Sequence, residues 1–379
     1  MPTMRNIKAD VERLLWGVSA GRCEFDGCNK PLYRHEATGT IDNYAEKAHI
    51  HAVSPGGARY DPEAEDFKNN FENLMLVCPQ CHITIDRNEE QYKPAVLFEM
   101  KRKHEQRITT LTNIGANLHS HMVYYTANLA GTHHSVNDGD ARNALALFGR
   151  YPTEDSPIDL SQKGSYVEDS EVGFYQNNIQ NLDRAIRSRI LDVIEQGSSI
   201  ALFALASQPL LMYLGRILND KYNVAVFQCH RRENDKWSWG QQYQPVKFLV
   251  TEAQGASELS PVALVFSLSS DIADNRIRTV LGESASIYMV TIESPNRQFV
   301  DHPSVMDDFV AATREVLERI KRRHGKNVDL HIFPAMPVSL AIRFGMDYMP
   351  KADNKLIIYD ERSDRGFVFA LSIGGSNDE

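Results

Sequence analysis

Ala48-His49-Ile50-His51 and, beyond a turn at Gly56-Gly57, Asn73-Leu74-Met75-Leu76-Val77-Cys78-Pro79-Gln80-Cys81-His82 decide how the first part of the chain folds. Cys78 and Cys81 have a counterpart pair upstream, Cys23 and Cys28, with Gly27 supplying the turn between them. Two short-spaced cysteine pairs, about fifty residues apart, are the pattern of a tetrahedral zinc site that staples a small fold. Four thiolates close the ion's shell, so this zinc is expected to be structural. His82 directly follows the last thiol, and the scaffold therefore fixes its direction.

Three polar side chains in this stretch suit the hydrolysis of a phosphodiester, which needs a base, a cation beside the phosphate and rigid placement of both. His49, with an ordinary pKa near 6.5, can take a proton near neutrality. His82 offers an imidazole to a divalent Mg²⁺ or Mn²⁺, at a site separate from the zinc. Asn73 can brace the loop that carries His49 by bonding its backbone. Asp86 stands where it can hold His82 from behind or start a helix.

In order and spacing these residues resemble the HNH endonucleases, a ββα-metal fold. The resemblance implies that His49 is the base, His82 a ligand of the catalytic divalent ion and Asn73 the brace. One departure matters. Many family members carry Asp or His just before the base, as a second metal ligand, and this chain has Ala48. His51, Glu46, Asp42 or water are the candidates to replace it, and His51 is an alternative base. The competing reading is a zinc-stapled module that binds DNA without cutting it, attached to a domain for a small effector.

The 379 residues suffice for two or three domains, with 42% apolar and 24% charged residues, ordinary for a soluble protein. No apolar run is long enough to span a membrane, and the start, Met1-Pro2-Thr3-Met4-Arg5-Asn6, has no signal-peptide core. With four of five cysteines assigned to zinc and Cys229 alone, a reducing cytoplasm is expected. The net charge is −9, with 1–112 nearly balanced and the acid excess beyond it. Phosphate contacts supply most non-specific DNA affinity, so a single copy should hold DNA weakly.

The expected boundaries are a zinc-stapled α+β domain at 1–112, a hinge at 113–119 and an α/β domain at 120–379. Apolar spacing predicts helices over 5–18 and 94–110 in the first. In the second, strands are expected at 122–129, 199–206, 224–229, 263–268, 286–292, 328–333 and 355–359. Helices are expected at 140–150, 176–195, 209–218, 276–281, 305–323 and 338–348, and a loop at 152–164. Repeated strand–helix alternation predicts mainly parallel sheets.

This half also repeats itself. Phe203 leads through Ser207-Gln208-Pro209 to Gly215 and then a strand; Phe333 leads through Met336-Pro337 to Gly345 and then another. The two intervals are equal, which implies two Rossmann-like halves about a pseudo-twofold axis. Ligands bind outside the carboxyl ends of such strands, where helix N-termini favour anions. Two facing halves suit a ligand with several phosphates and rotational symmetry. Ser207, Gln208, Pro209, Met336 and Pro337 are the candidates at the strand ends. Arg231-Arg232-Glu233-Asn234-Asp235-Lys236-Trp237-Ser238-Trp239 would add cations and stacking indoles, with Lys236 and Trp237 foremost; alternatively both indoles pack into the sheet.

The paired units and the Lys-Trp-Ser-Trp element resemble the SAVED domain, a fusion of two CARF-like halves. Joined to an HNH domain, it resembles the CBASS anti-phage effector nucleases of bacteria. That resemblance implies activation by a cyclic dinucleotide or trinucleotide, assembly into a homo-oligomer between dimer and tetramer, and degradation of double-stranded DNA.

Overall fold

A computed structural model describes residues 7–129, 131–161, 171–230, 236–253, 255, 260–362 and 364–374. The chain forms two compact units, Met1–Gly115 and Ala116–Glu379.

In the first unit, helix α1 (Ala9–Val18) precedes strand β1 (Glu46–His49), strand β2 (Leu74–Val77), helix α2 (Pro79–Arg87) and helix α3 (Pro94–Thr112). β1 and β2 pair antiparallel, with Glu46 opposite Val77 and His49 opposite Leu74. Pro79 at the first turn and Cys78 as N-cap start α2 immediately after β2. Two strands followed at once by a helix therefore lie against a core of Leu15, Leu32, Ile50, Leu74, Leu76, Ile85 and Leu97. So small a core fits a fold that needs a staple.

The second unit runs β3 (His119–Thr126), α4 (Asp138–Leu147), β4 (Tyr151–Pro152), β5 (Ile158–Asp159), α5 (Phe174–Arg189), α6 (Leu191–Glu195), β6 (Ile200–Leu205), α7 (Gln208–Leu218) and β7 (Val224–Phe227). It continues with β8 (Leu249–Ala253), β9 (Val262–Ser267), α8 (Asp274–Leu281), β10 (Ser286–Thr291), α9 (Ser304–His324), β11 (Leu330–Ala335), α10 (Val338–Met346), β12 (Leu356–Arg362) and β13 (Gly366–Ile373). One sheet has the order β4-β3-β6-β7 with β5 beside β3; the other has β13-β12-β11-β9-β10-β8. Their cores are parallel, and β8 and β13 close the second sheet as antiparallel edges.

Mapping β3-β6-β7 onto β9-β11-β12 makes the duplication explicit, and it extends into side chains. Phe203 stacks on Phe227 with centroids 4.4 Å apart, and Phe333 stacks on Tyr359 at 4.5 Å. A third ring stands edge-on to each stack: Trp237 in the first half and Phe367 in the second. α7 and α10 meet at their glycines. A Cβ on Gly215 would collide with the Ile342 carbonyl oxygen, and one on Gly345 with that of Met212. This reciprocity is what a pseudo-twofold axis requires.

Several expectations need correcting. The strand expected at 122–129 starts earlier, at His119, and ends at Thr126. The helix expected over 176–195 breaks at Ile190, whose φ of −130° leaves the helical region. The expected loop at 152–164 contains β5, and β8 and β13 lie where no strand is expected. β8 is a short edge strand with a weak apolar run, whereas β13 carries a strong apolar run from Phe367 to Ile373.

Candidate functional site

The Sγ atoms of Cys23, Cys28, Cys78 and Cys81 all lie within 4.8 Å of one another, and all four thiols are free of disulfides. The Cys78 N–H donates to Cys23 Sγ at 3.3 Å, and the Cys81 N–H to Cys78 Sγ at 3.5 Å. Burial pushes the Cys23 thiol up to about 12 and raises Cys81 as well. Burial works upward on Cys78 too, but there the Cys81 N–H and neighbouring thiols outweigh it and hold the group below its ordinary value. Thiols gathered this closely form a donor set that fits a tetrahedral zinc ion, whose charge would offset the burial that opposes their ionisation.

Beside the knuckle, β1, the loop after it and α2 enclose a cleft of about 530 Å³. Glu46, His49, Arg59, His82 and Asp86 line it. His82 Nδ1 is 2.5 Å from Glu46 Oε2, and its Nε2 is 3.4 Å from Asp86 Oδ2. The two ring nitrogens thus face two carboxylates, Glu46 at hydrogen-bond distance and Asp86 at ion-pair distance, and a carboxylate so placed is one that would orient a metal-ligating histidine. Asp86 sits in the last turn of α2, which removes the helix-start alternative.

His49 lies at the end of β1, with Nε2 3.0 Å from Asn69 Oδ1. Asn73 is fully buried behind it. Its Oδ1 accepts from His51 N at 2.8 Å, and its Nδ2 donates to the carbonyls of His51 and Lys68, both at 3.0 Å. One amide thus ties both backbone groups of the turn after His49.

Of the candidates to replace a carboxylate at position 48, Glu46 is in the cleft and His51 and Asp42 are not among its lining residues. The His51 ring lies against Phe67 and Phe98 and faces Asp61 at 3.8 Å, away from the residues that line the cleft. Ala48 is 2% exposed and packs into the core, where a carboxylate would be desolvated.

Two residues around the cleft carry no sequence signal: Asn69, which bonds His49 without lining the cleft, and Arg59, which lines it. Arg59 has a left-handed backbone, φ +57°, and a side chain 3% exposed.

In the second unit the strand ends meet. Gln208 Oε1 accepts from Met336 N at 3.0 Å, and Gln228 Oε1 accepts from Ser339 N at 3.1 Å and Ser339 Oγ at 2.7 Å. Two glutamines of the first half thus reach the start of α10 in the second. Ser207, Pro209, Met336 and Pro337 are buried there, Gln208 is half-buried and Lys236 is exposed. Trp237 is 3% exposed and edge-on to Phe203, so it is a core ring rather than a stacking platform at the surface. Arg231 to Asp235 lie outside the described residues. A cluster without sequence signal occupies the carboxyl end of β12: Tyr175 Oη donates to Asp360 Oδ2 at 2.5 Å and receives a hydrogen bond from Arg362 at 3.3 Å. Burial, then Asp360, pushes the Tyr175 phenol well above its ordinary value.

The chain thus joins a ββα unit that carries a four-cysteine cluster to a duplicated α/β unit. The family model named SAVED, the SMODS-associated and fused to various effectors sensor domain, matches residues 182–373, more than half the chain, and the chain belongs to that family. No curated protein matches it. Among solved structures, it is similar to the Cap4 SAVED/CARF-domain containing receptor of Acinetobacter baumannii with the cyclic trinucleotide 2'3'3'-cAAA, at 11% identity and a TM-score of 0.43. That match covers 78% of this chain and 62% of the receptor. The Moraxella osloensis Cap4 receptor is similar at 10% identity and a TM-score of 0.39, over 77% of this chain and 60% of that one. The chain thus spans under two thirds of the length of these receptors. Among the described residues no helix is long and apolar enough to cross a membrane.

Proposed function

We propose that the chain is a cyclic-oligonucleotide-activated, metal-dependent HNH endonuclease that cuts double-stranded DNA in bacterial anti-phage defence. One observation carries this reading: Glu46, His49 and His82 converge on a single cleft of the ββα unit, with Asn73 buried behind it. Family membership adds the second element, because SAVED domains are described as sensors fused to effectors. The first unit is then the effector.

His82 and Glu46 would hold the divalent cation, Mg²⁺ or Mn²⁺, which when bound supplies positive charge to the scissile phosphate. His49 acts as general base. Asn69 Oδ1 at Nε2 keeps the ring proton on that nitrogen, so Nδ1 takes the proton from water. Asn73 holds the following turn so that the ring does not swing. Cys23, Cys28, Cys78 and Cys81 would hold zinc, which when bound would tie the start of α2, and His82 with it, to the rest of the unit. In the second unit, a cyclic dinucleotide or trinucleotide would bind where the two sets of strand ends meet, with the Arg362 guanidinium, which Tyr175 Oη accepts from and so orients, offering a donor to phosphate. Ligand binding then assembles a homo-oligomer, dimer to tetramer, whose paired clefts cut both strands. The nearly neutral first unit fits this gating, since one copy alone grips DNA weakly.

The test is plasmid cleavage by the purified chain with Mg²⁺ or Mn²⁺ and a panel of cyclic di- and trinucleotides. Cutting is expected only with both metal and one class of ligand. His49→Ala should slow it by about 10²–10⁴-fold, the usual contribution of a positioned base, and leave the ligand-induced thermal shift unchanged. Intact DNA across the whole panel, or unimpaired cutting by His49→Ala, would overturn the reading.

A further inference from the structure

Arg59 makes contacts that its place in the chain does not announce. It follows Gly57, where a Cβ would press on Ala52, and its own backbone is left-handed at φ +57°. Such a conformation is uncommon for a residue with a long side chain and persists where the surroundings impose it. It turns the guanidinium inward, where only 3% of the side chain is exposed.

A buried guanidinium must have its donors satisfied, and the partners here come from two elements. Toward β1, Nε donates to the Ile50 carbonyl at 3.0 Å and Nη2 to the His49 carbonyl at 3.3 Å. Toward α2, Nη1 donates to the Ile85 carbonyl at 3.0 Å and Nη2 to Asp86 Oδ1 at 2.8 Å. The other oxygen of that carboxylate faces His82 Nε2, and the opposite ring nitrogen faces Glu46. One planar group therefore links the backbone of the base to the carboxylate behind the metal-facing histidine.

We propose that Arg59 is a positioning residue of this cleft, fixing the distance between His49 and His82 and, through Asp86, the orientation of the His82 ring toward Glu46. The proposal rests on the nuclease reading in assigning roles to the two histidines. It predicts something a merely structural arginine would not: removing the guanidinium weakens divalent-ion binding by the same route as removing the Asp86 charge. Lysine cannot restore it, because an ammonium lacks the planar fork that serves four acceptors at once.

The experiment measures Mn²⁺ binding to the full chain, zinc retained, by electron paramagnetic resonance, alongside DNA cleavage and thermal unfolding. Arg59→Met and Asp86→Asn are each expected to weaken Mn²⁺ binding by about 10–100-fold, the usual effect of losing a partner behind a ligand. The double variant should be no weaker than the worse single one, and His49→Ala should bind Mn²⁺ as the unsubstituted chain does. If Arg59→Met does not fold, Arg59→Lys carries the test, with weakened Mn²⁺ binding at an intact melting temperature. Mn²⁺ binding unchanged in a folded Arg59 variant overturns the proposal, as do fully additive losses in the double variant. Failure of the nuclease reading looks different: the unsubstituted chain binds Mn²⁺ and cuts no DNA. An unsubstituted chain that binds no Mn²⁺ overturns both.

Discussion

The two units hold themselves together in opposite ways. The first has a core of about a dozen buried side chains in which three of the four zinc-fitted cysteines are themselves members. The second buries long runs of Ile, Leu, Val and Phe on both faces of parallel strands and repeats one arrangement twice. A metal can be removed and a core cannot. The first unit should therefore be conditionally folded, and the second folded by its own apolar area.

The largest effect that would sharpen this contrast is the loss of zinc. Structural zinc contributes apparent binding energies of about 10–16 kcal/mol in small domains. A strong chelator, or Cys78→Ser, is expected to abolish amide-exchange protection in Met1–Gly115 and leave that of Ala116–Glu379 intact. Equal protection of both units after chelation would break the comparison.

A smaller effect probes the second unit. Gly215→Ala or Gly345→Ala drives a methyl group into a backbone carbonyl of the facing helix, and overpacking of this kind costs about 1–3 kcal/mol. Because the two contacts are reciprocal, both substitutions should lower the denaturation midpoint of the second unit by similar amounts and spare the first. A marked inequality between them would show that the pseudo-twofold does not hold energetically.

The smallest effect is that of pH, and the units should share it. Burial holds His104 in the first unit and His331 in the second below the ordinary 6.5. Their unfolded forms bind a proton more readily than their folded forms. Stability from these groups is thus fully present above about 6.5 and is lost as pH falls toward the folded values. Acid titration followed by exchange in each unit should show both losing protection below pH 6.5. His104→Gln should remove part of that loss from the first unit alone.

What the sequence makes legible follows from how chemistry writes itself into spacing. The cysteine pairs, His49, Asn73 and His82 are readable because a metal and a turn demand certain residue types at certain intervals. The duplication is readable because Phe203 and Gly215 recur as Phe333 and Gly345. Trp237 is ambiguous alone, and only its match to Phe367 in space shows that it fills a core position. The pocket candidates at the strand ends come from topology, which places residues near a site without saying which are exposed. Arg59 and Asn69 lie in a loop whose path no local pattern specifies, and their partners are distant in sequence. Glu46 could be suggested but not chosen over His51, because that choice depends on how the turn after β1 points.

The glycine contact between α7 and α10 has one more implication. Where two helices touch main chain to main chain, no side chain lies between them to flex and absorb movement. A displacement of either helix is therefore expected to carry the other with it. The duplicated domain should then answer as one piece rather than as two independent halves.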